Sequence, residues 1–206
     1  MAARFITLEG IEGCGKSTLA RELTQRLTAR GISVRPTREP GGTPLAEKLR
    51  DILLQRGSET LTPGAETLLM FGARAVHVEN LIRPALACGH WVICDRFTDA
   101  TRAYQGGGRG VEAHIIDSMA QLAHRDLAPD ITLLLDLPAE QGLARAVSRG
   151  GPGDRFEDER LAFFQRVRNA YLAIAHAEPQ RFRIIDASAP IVTVTERALE
   201  ALLEGM

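Results

Sequence analysis

Residues 10–17, Gly10-Ile11-Glu12-Gly13-Cys14-Gly15-Lys16-Ser17, follow the spacing G-x-x-x-x-G-K-[ST] between the apolar run Phe5-Ile6-Thr7-Leu8 and a segment of helical periodicity. A strand, a glycine-rich loop and a helix in that order form a phosphate-binding unit. Gly10, Gly13 and Gly15 permit backbone angles closed to residues with a Cβ, so successive amides can curl around an anion. The helix starting near Lys16 adds its positive dipole end. Lys16 would reach the β and γ phosphates, and the Ser17 hydroxyl can ligate Mg2+. The loop, through Thr18, is therefore the expected nucleoside triphosphate site. The thiol of Cys14, flanked by glycines and near a helix N-terminus, is expected to be accessible and reactive.

Around this unit the chain reads as one domain, residues 1–206, with 45% apolar residues, enough to bury a sizeable core. Its 25 basic and 26 acidic side chains leave a net charge of −1, which points away from nucleic acid or a membrane surface as partner. Cys14, Cys88 and Cys94 show neither metal-ligand nor C-x-x-C spacing, the pattern of a reducing compartment such as the cytoplasm. The apolar runs are far shorter than the ~20 residues a membrane span requires, so the chain reads as soluble and unprocessed.

Periodicity sets out the order of elements. Leu19, Leu23 and Leu27 recur at helical spacing, Gly31 ends that helix, and a short strand is expected over Ile32 to Arg35. Thr43-Pro44 and Thr62-Pro63 read as N-cap and first helical position. They open a helix to Leu54 and a long one to Gly89 that Pro84 should kink or break. The runs Trp91 to Cys94 and Ile131 to Leu135 are continuous apolar strands of a parallel sheet, and Phe182 to Ile185 supplies a fifth. Strands alternating with helices give a doubly wound, five-stranded parallel α/β sheet with its ligands at the carboxyl ends of the strands. Two glycine-rich stretches, Gly106 to Gly110 and Gly150 to Gly153, read as mobile loops. The second, bracketed by Arg149 and Arg155, is a candidate lid over phosphates spanning about 149–157.

Chemistry concentrates at Cys94-Asp95-Arg96, at the end of the third strand. Asp95 is placed to help hold Mg2+, and Arg96 to clamp a phosphate on the acceptor with two parallel hydrogen bonds. Further motifs stand in fixed order: Arg38-Glu39-Pro40-Gly41-Gly42-Thr43, Met70-Phe71-Gly72-Ala73-Arg74, Asp95-Arg96-Phe97, Tyr104-Gln105-Gly106-Gly107-Gly108-Arg109-Gly110, Pro129-Asp130 and Asp154-Arg155-Phe156-Glu157.

With the phosphate loop, this series resembles the bacterial thymidylate kinases over nearly the whole chain. The resemblance implies a P-loop NTPase fold with a lid, and phosphorylation of dTMP to dTDP by ATP with Mg2+ in dTTP biosynthesis. It also implies a homodimer formed through helices flanking the segment from Gly64 to Ala87. Phe71 would stack on the thymine ring, Arg74 would donate to a ring carbonyl, and Thr101 and Gln105 would line the same pocket. Glu39 and Arg50 would face the sugar and phosphate beside Arg96, and Glu12 would approach the 3′-hydroxyl. The eukaryotic type carries an arginine in the phosphate loop where this chain has Gly13-Cys14-Gly15. As in the bacterial type, the missing cation is then expected from Arg149 and Arg155. The rivals are a P-loop kinase for another nucleotide or a deoxynucleoside, and a GTPase-like switch. The switch reading is weakened because the chain has no D-x-x-G after the loop and no N-K-x-D.

Overall fold

The computed structural model of the protein describes residues 2–55, 60–148, 159 and 161–204. Its strands are β1 (Phe5–Glu9), β2 (Val34–Arg38), β3 (Trp91–Asp95), β4 (Ile131–Asp136) and β5 (Phe182–Asp186). They lie in the order β2-β3-β1-β4-β5, and every neighbouring pair is parallel. The continuous apolar runs are explained by this arrangement. Phe5 and Ile6 point to opposite faces of the sheet, and both are buried, in different core clusters. Within the sheet the hydroxyls of Thr7 and Thr132 satisfy each other at 2.8 Å. The Asp130 carboxylate accepts the amide of Phe5 at 2.6 Å, tying the start of β4 to the start of β1.

The helices are α1 (Lys16–Thr28), α2 (Pro44–Leu54), α3 (Pro63–His77), α4 (Arg83–Ala87), α5 (Thr98–Thr101), α6 (Ala113–His124), α7 (Ala139–Ser148), α8 (Leu161–Ala177) and α9 (Ile191–Leu203). On one face of the sheet, Leu19, Leu23 and Leu27 of α1 pack with Val194, Leu199 and Leu202 of α9 against Ile6, Leu8 and Ile93. On the other, Phe163, Phe164, Val167 and Tyr171 of α8 close over Leu134 and Phe182. Thr43 and Thr62 cap α2 and α3 as their sequences foretell, accepting the amides of Ala46 and Ala65. Among the described residues no helix is long and apolar enough to cross a membrane.

Three local expectations are corrected. The second strand runs from Val34 to Arg38 instead of Ile32 to Arg35. Pro36 is tolerated inside it because β2 is an edge strand and the missing amide costs no ladder bond. The long helix does not run unbroken to Gly89. It widens into a π-helical turn over Val78–Ile82 before resuming as α4, with Pro84 in its first turn. That turn relieves the clash of the Pro84 ring with the preceding helical carbonyls. The run Gly106 to Gly110 is no mobile loop, since Arg102–Gly108 forms a second π-helical segment pressed against α8. A Cβ on Gly107 would lie 2.5 Å from the Ala170 side chain, and one on Gly108 2.5 Å from the Phe163 ring. These glycines permit close packing.

Candidate active site

The register of β1 with β3 pairs Leu8 with Asp95, so the phosphate loop and the Asp95-Arg96 turn leave the carboxyl edge of the sheet side by side. Gly13 takes a φ of 75° and sits so close to α7 that a Cβ would fall 2.1 Å from the Gly142 carbonyl oxygen. Only glycine fits there. Lys16 is buried. Its ammonium folds across the loop, donating to the carbonyls of Gly10 at 3.0 Å and Ile11 at 2.9 Å. Gly10 and Ile11 thus lie behind the loop. Glu12, Gly13, Cys14, Gly15, Lys16, Ser17 and Thr18 line the cleft above it. The accessible thiol expected at Cys14 is also corrected: the side chain is buried in the core cluster beneath the loop.

The Ser17 hydroxyl donates to the Asp95 carboxylate at 2.9 Å. A hydroxyl and a carboxylate oxygen side by side, beside the loop that would hold phosphates, suit a hard divalent cation such as Mg2+. The same cleft is bordered by Arg145 and the segment 187–190. Sequence reasoning missed that segment because Ala187, Ser188, Ala189 and Pro190 carry no charge or motif.

Arg96 stands where this cleft meets a second one. Its φ of 74° is a left-handed conformation in a non-glycine residue, a strain held by the contacts of its side chain. One Nη donates to the Glu12 carboxylate at 2.8 Å and to the Tyr104 hydroxyl at 3.0 Å, while the other donates to the Tyr171 hydroxyl at 3.2 Å. The Tyr104 hydroxyl in turn donates to Glu12. Burial works against the Arg96 charge, but the oxygens of Tyr104, Glu12, Tyr171 and Asp95 outweigh it and hold the guanidinium firmly protonated. Behind this group, Tyr171 donates to Glu9 at 2.7 Å, and the Phe97 amide donates to the other Glu9 oxygen. Burial, aided by the charge of Asp99, pushes the Glu9 carboxyl from its ordinary 4.5 up to about 8.

The second cleft shares Glu12, Glu39, Arg50 and Arg96 with the first. Pro40, Leu54, Met70 and Ala100 are its apolar walls, and Arg74, Thr101 and Gln105 its polar ones. Arg74 is buried in α3, where its Nε donates to Glu39 at 2.6 Å and one Nη to the Phe97 carbonyl and the Thr101 hydroxyl. Its other nitrogen, Nη1, has no partner among the described residues. Gln105 is held by Glu66, which accepts its amide at 2.6 Å, and Arg50 donates to the Pro40 carbonyl at 2.9 Å.

A family model for thymidylate kinase matches residues 8–198. The chain belongs to the thymidylate kinase family. It is 55% identical to the thymidylate kinase of Pseudomonas putida (strain W619) over 202 residues, 98% of this chain and 97% of that one. The thymidylate kinase of Methylobacillus flagellatus is 50% identical over 204 residues, 99% of this chain and 98% of the other. A solved structure of thymidylate kinase from Ehrlichia chaffeensis superposes with a TM-score of 0.81 at 32% identity, covering 98% of this chain and 100% of that chain.

Of the acceptor residues expected from the resemblance to thymidylate kinases, Glu12, Glu39, Arg50, Arg74, Arg96, Thr101 and Gln105 converge on the second cleft. Phe71 does not. Its ring packs with Ile116, Ala120 and Ala123, and Met70, one residue earlier, faces the cleft instead. Arg149 and Arg155, with the whole lid segment 149–157, lie outside the described residues. Tyr104 and Met70 stood inside recognised motifs without a role. Glu9, Glu66, His77 and Tyr171 offered no signal in the chain, since each acts through a partner distant in sequence.

Proposed function

We propose that the protein transfers the γ-phosphoryl group of ATP to dTMP, giving dTDP for dTTP synthesis. The phosphate loop would hold the donor, and the cleft between α2 and α3 the acceptor. The observation that carries this reading is the convergence of Arg74, Thr101, Gln105 and Glu39 on a cleft that meets the phosphate-loop cleft at Arg96. A pyrimidine carbonyl would accept from Arg74, while Met70 and Leu54 take the apolar face and edge of the base. Arg96 would clamp the acceptor phosphate at the junction, in line with the donor. Ser17 and Asp95 would hold Mg2+, which neutralises charge on the transferring phosphates. No general base is needed, because the second pKa of the acceptor phosphate is ~6 and it is already ionised. Arg149 and Arg155 are proposed as the lid cations on the sequence alone.

The same reading places the protein in the cytoplasm as a homodimer. Leu68 on α3 and the pair Ile115 and Leu122 on α6 are exposed apolar side chains on two helices that pack together. The deciding experiment is an acceptor panel with ATP, monitored by ADP release. dTMP should be the best acceptor, with dUMP poorer by roughly 1 to 3 kcal/mol for its missing methyl group. Preference for AMP, CMP or a nucleoside would remove the assignment.

A further inference from the structure

We propose that His77 is a positioning residue for acceptor recognition: by bonding one oxygen of Glu39, it fixes the carboxylate that anchors Arg74 at the base cleft. This rests on the reading of the Arg74 cleft as the base site. The relay begins at Thr37, whose hydroxyl lies 2.7 Å from His77 Nε2. His77 Nδ1 lies 3.0 Å from Glu39 Oε1, and Glu39 Oε2 accepts Arg74 Nε at 2.6 Å. An ionised carboxylate only accepts, so His77 Nδ1 donates to Glu39 Oε1. Glu39 is ionised because Arg74 and His77 together outweigh the opposing effect of burial and hold its carboxyl below the ordinary range.

His77 holds Oε1, which fixes the plane of the Glu39 carboxylate and sets Oε2 against Arg74 Nε. With Nη2 taken by the Phe97 carbonyl and the Thr101 hydroxyl, the guanidinium is anchored at the wall of the cleft. Gly42 packs closely against the imidazole, where a Cβ would lie 2.4 Å from its Nε2. Cys94 completes a group whose ligand atoms lie within 4.8 Å of one another, a set that in other surroundings would suit zinc. Here burial, together with the charges of Glu39, Asp95 and Glu9, pushes the thiol well up, and it donates to the Arg96 carbonyl. With Glu39 and His77 bonded to each other and to Arg74 and Thr37, the cluster is a relay.

The test compares His77→Leu, His77→Asn and Thr37→Val in steady-state assays with dTMP, dCMP and ATP. His77→Leu should raise KM for dTMP about tenfold, leave KM for ATP unchanged and reduce the preference for dTMP over dCMP, which carries an amino group where thymine has a carbonyl. His77→Asn, which keeps an N–H toward Glu39, should restore most of the loss. In an Arg74→Ala background His77→Leu should add little, because both act through one contact. If His77→Leu fails to fold, Thr37→Val carries the test, with a smaller rise in KM for dTMP alone. A wild type selective for dTMP whose folded His77→Leu keeps KM and selectivity, or loses dTMP and ATP affinity equally, overturns the inference alone. Unchanged kinetics in Thr37→Val overturn it where the leucine variant does not fold. A wild type that prefers another acceptor removes the base-site reading itself.

Discussion

The guanidinium of Arg74 lies 4.7 Å from the centre of the Phe71 ring, with the ring of Phe97 at 5.2 Å. Phe71 therefore supports the arginine that would read the base and does not itself reach the cleft. A cation against an aromatic face in a desolvated setting gains stability that a merely apolar neighbour would not supply.

Phe71→Ala should destabilise the fold by about 3 to 5 kcal/mol, the usual range for emptying a buried aromatic site. Met70→Ala should hardly move the unfolding midpoint but raise KM for dTMP about tenfold through loss of apolar contact. Denaturant unfolding and steady-state kinetics on both variants separate the two roles. A Phe71→Ala protein as stable as wild type but poor in dTMP binding would show that the ring, after all, serves the base directly.

That exchange marks where legibility ends. The loop, the two Thr-Pro caps and the sheet could be read because local chemistry dictates them. On one turn of α3, Met70 and Phe71 are both apolar, and only the partner surface of Ile116, Ala120 and Ala123 decides which faces inward. Likewise Gly106 to Gly110 reads the same whether flexible or close-packed. Ala170 and Phe163, which require the small side, come from a helix some sixty residues later. The relay from Thr37 to Arg74 joins β2 to α3 and has no contiguous signature.

Lys16→Ala should lower kcat by on the order of a hundredfold or more, because the ammonium would meet charge that grows during transfer. Its two bonds to loop carbonyls make the structural loss small but measurable, about 1 kcal/mol. Rapid-quench turnover beside thermal unfolding checks both numbers. Near-native turnover, or a stability loss large enough to explain the lost activity, would contradict the assignment.

Glu9 gives a pH signature. Its folded pKa is raised by burial and by the charge of Asp99, from 4.5 to about 8, so the folded state holds a proton that the unfolded chain releases. Its contribution to stability is complete below pH 4.5 and is lost as pH rises through about 8. The slope in that window is about 1.4 kcal/mol per pH unit for one proton. Unfolding free energies from pH 5 to 9 should show this decline, and Glu9→Gln should flatten it. An equally steep decline in Glu9→Gln would assign the proton elsewhere.

Two tyrosine hydroxyls hold Arg96, and their surroundings predict different consequences of losing each. Tyr104 bonds to Glu12, which lines both clefts, and its ring lies 4.6 Å beneath the Arg96 guanidinium. Tyr104→Phe keeps that ring but loosens the Arg96–Glu12 pair, so it should lower kcat/KM for dTMP with little change in stability. Tyr171 is buried between Arg96 and Glu9, where no solvent can stand in. Tyr171→Phe leaves a buried carboxyl oxygen and an arginine nitrogen each short of a partner, which should cost about 1 to 3 kcal/mol of stability. Because the Tyr171 hydroxyl is one of the contacts that lower the Glu9 pKa, its loss should also move the alkaline decline in stability to higher pH. Tyr104→Phe should leave that decline where it is. Matching shifts in both variants, or a Tyr171→Phe protein of unchanged stability, would mean that the hydroxyls do not divide the work of holding Arg96 in this way.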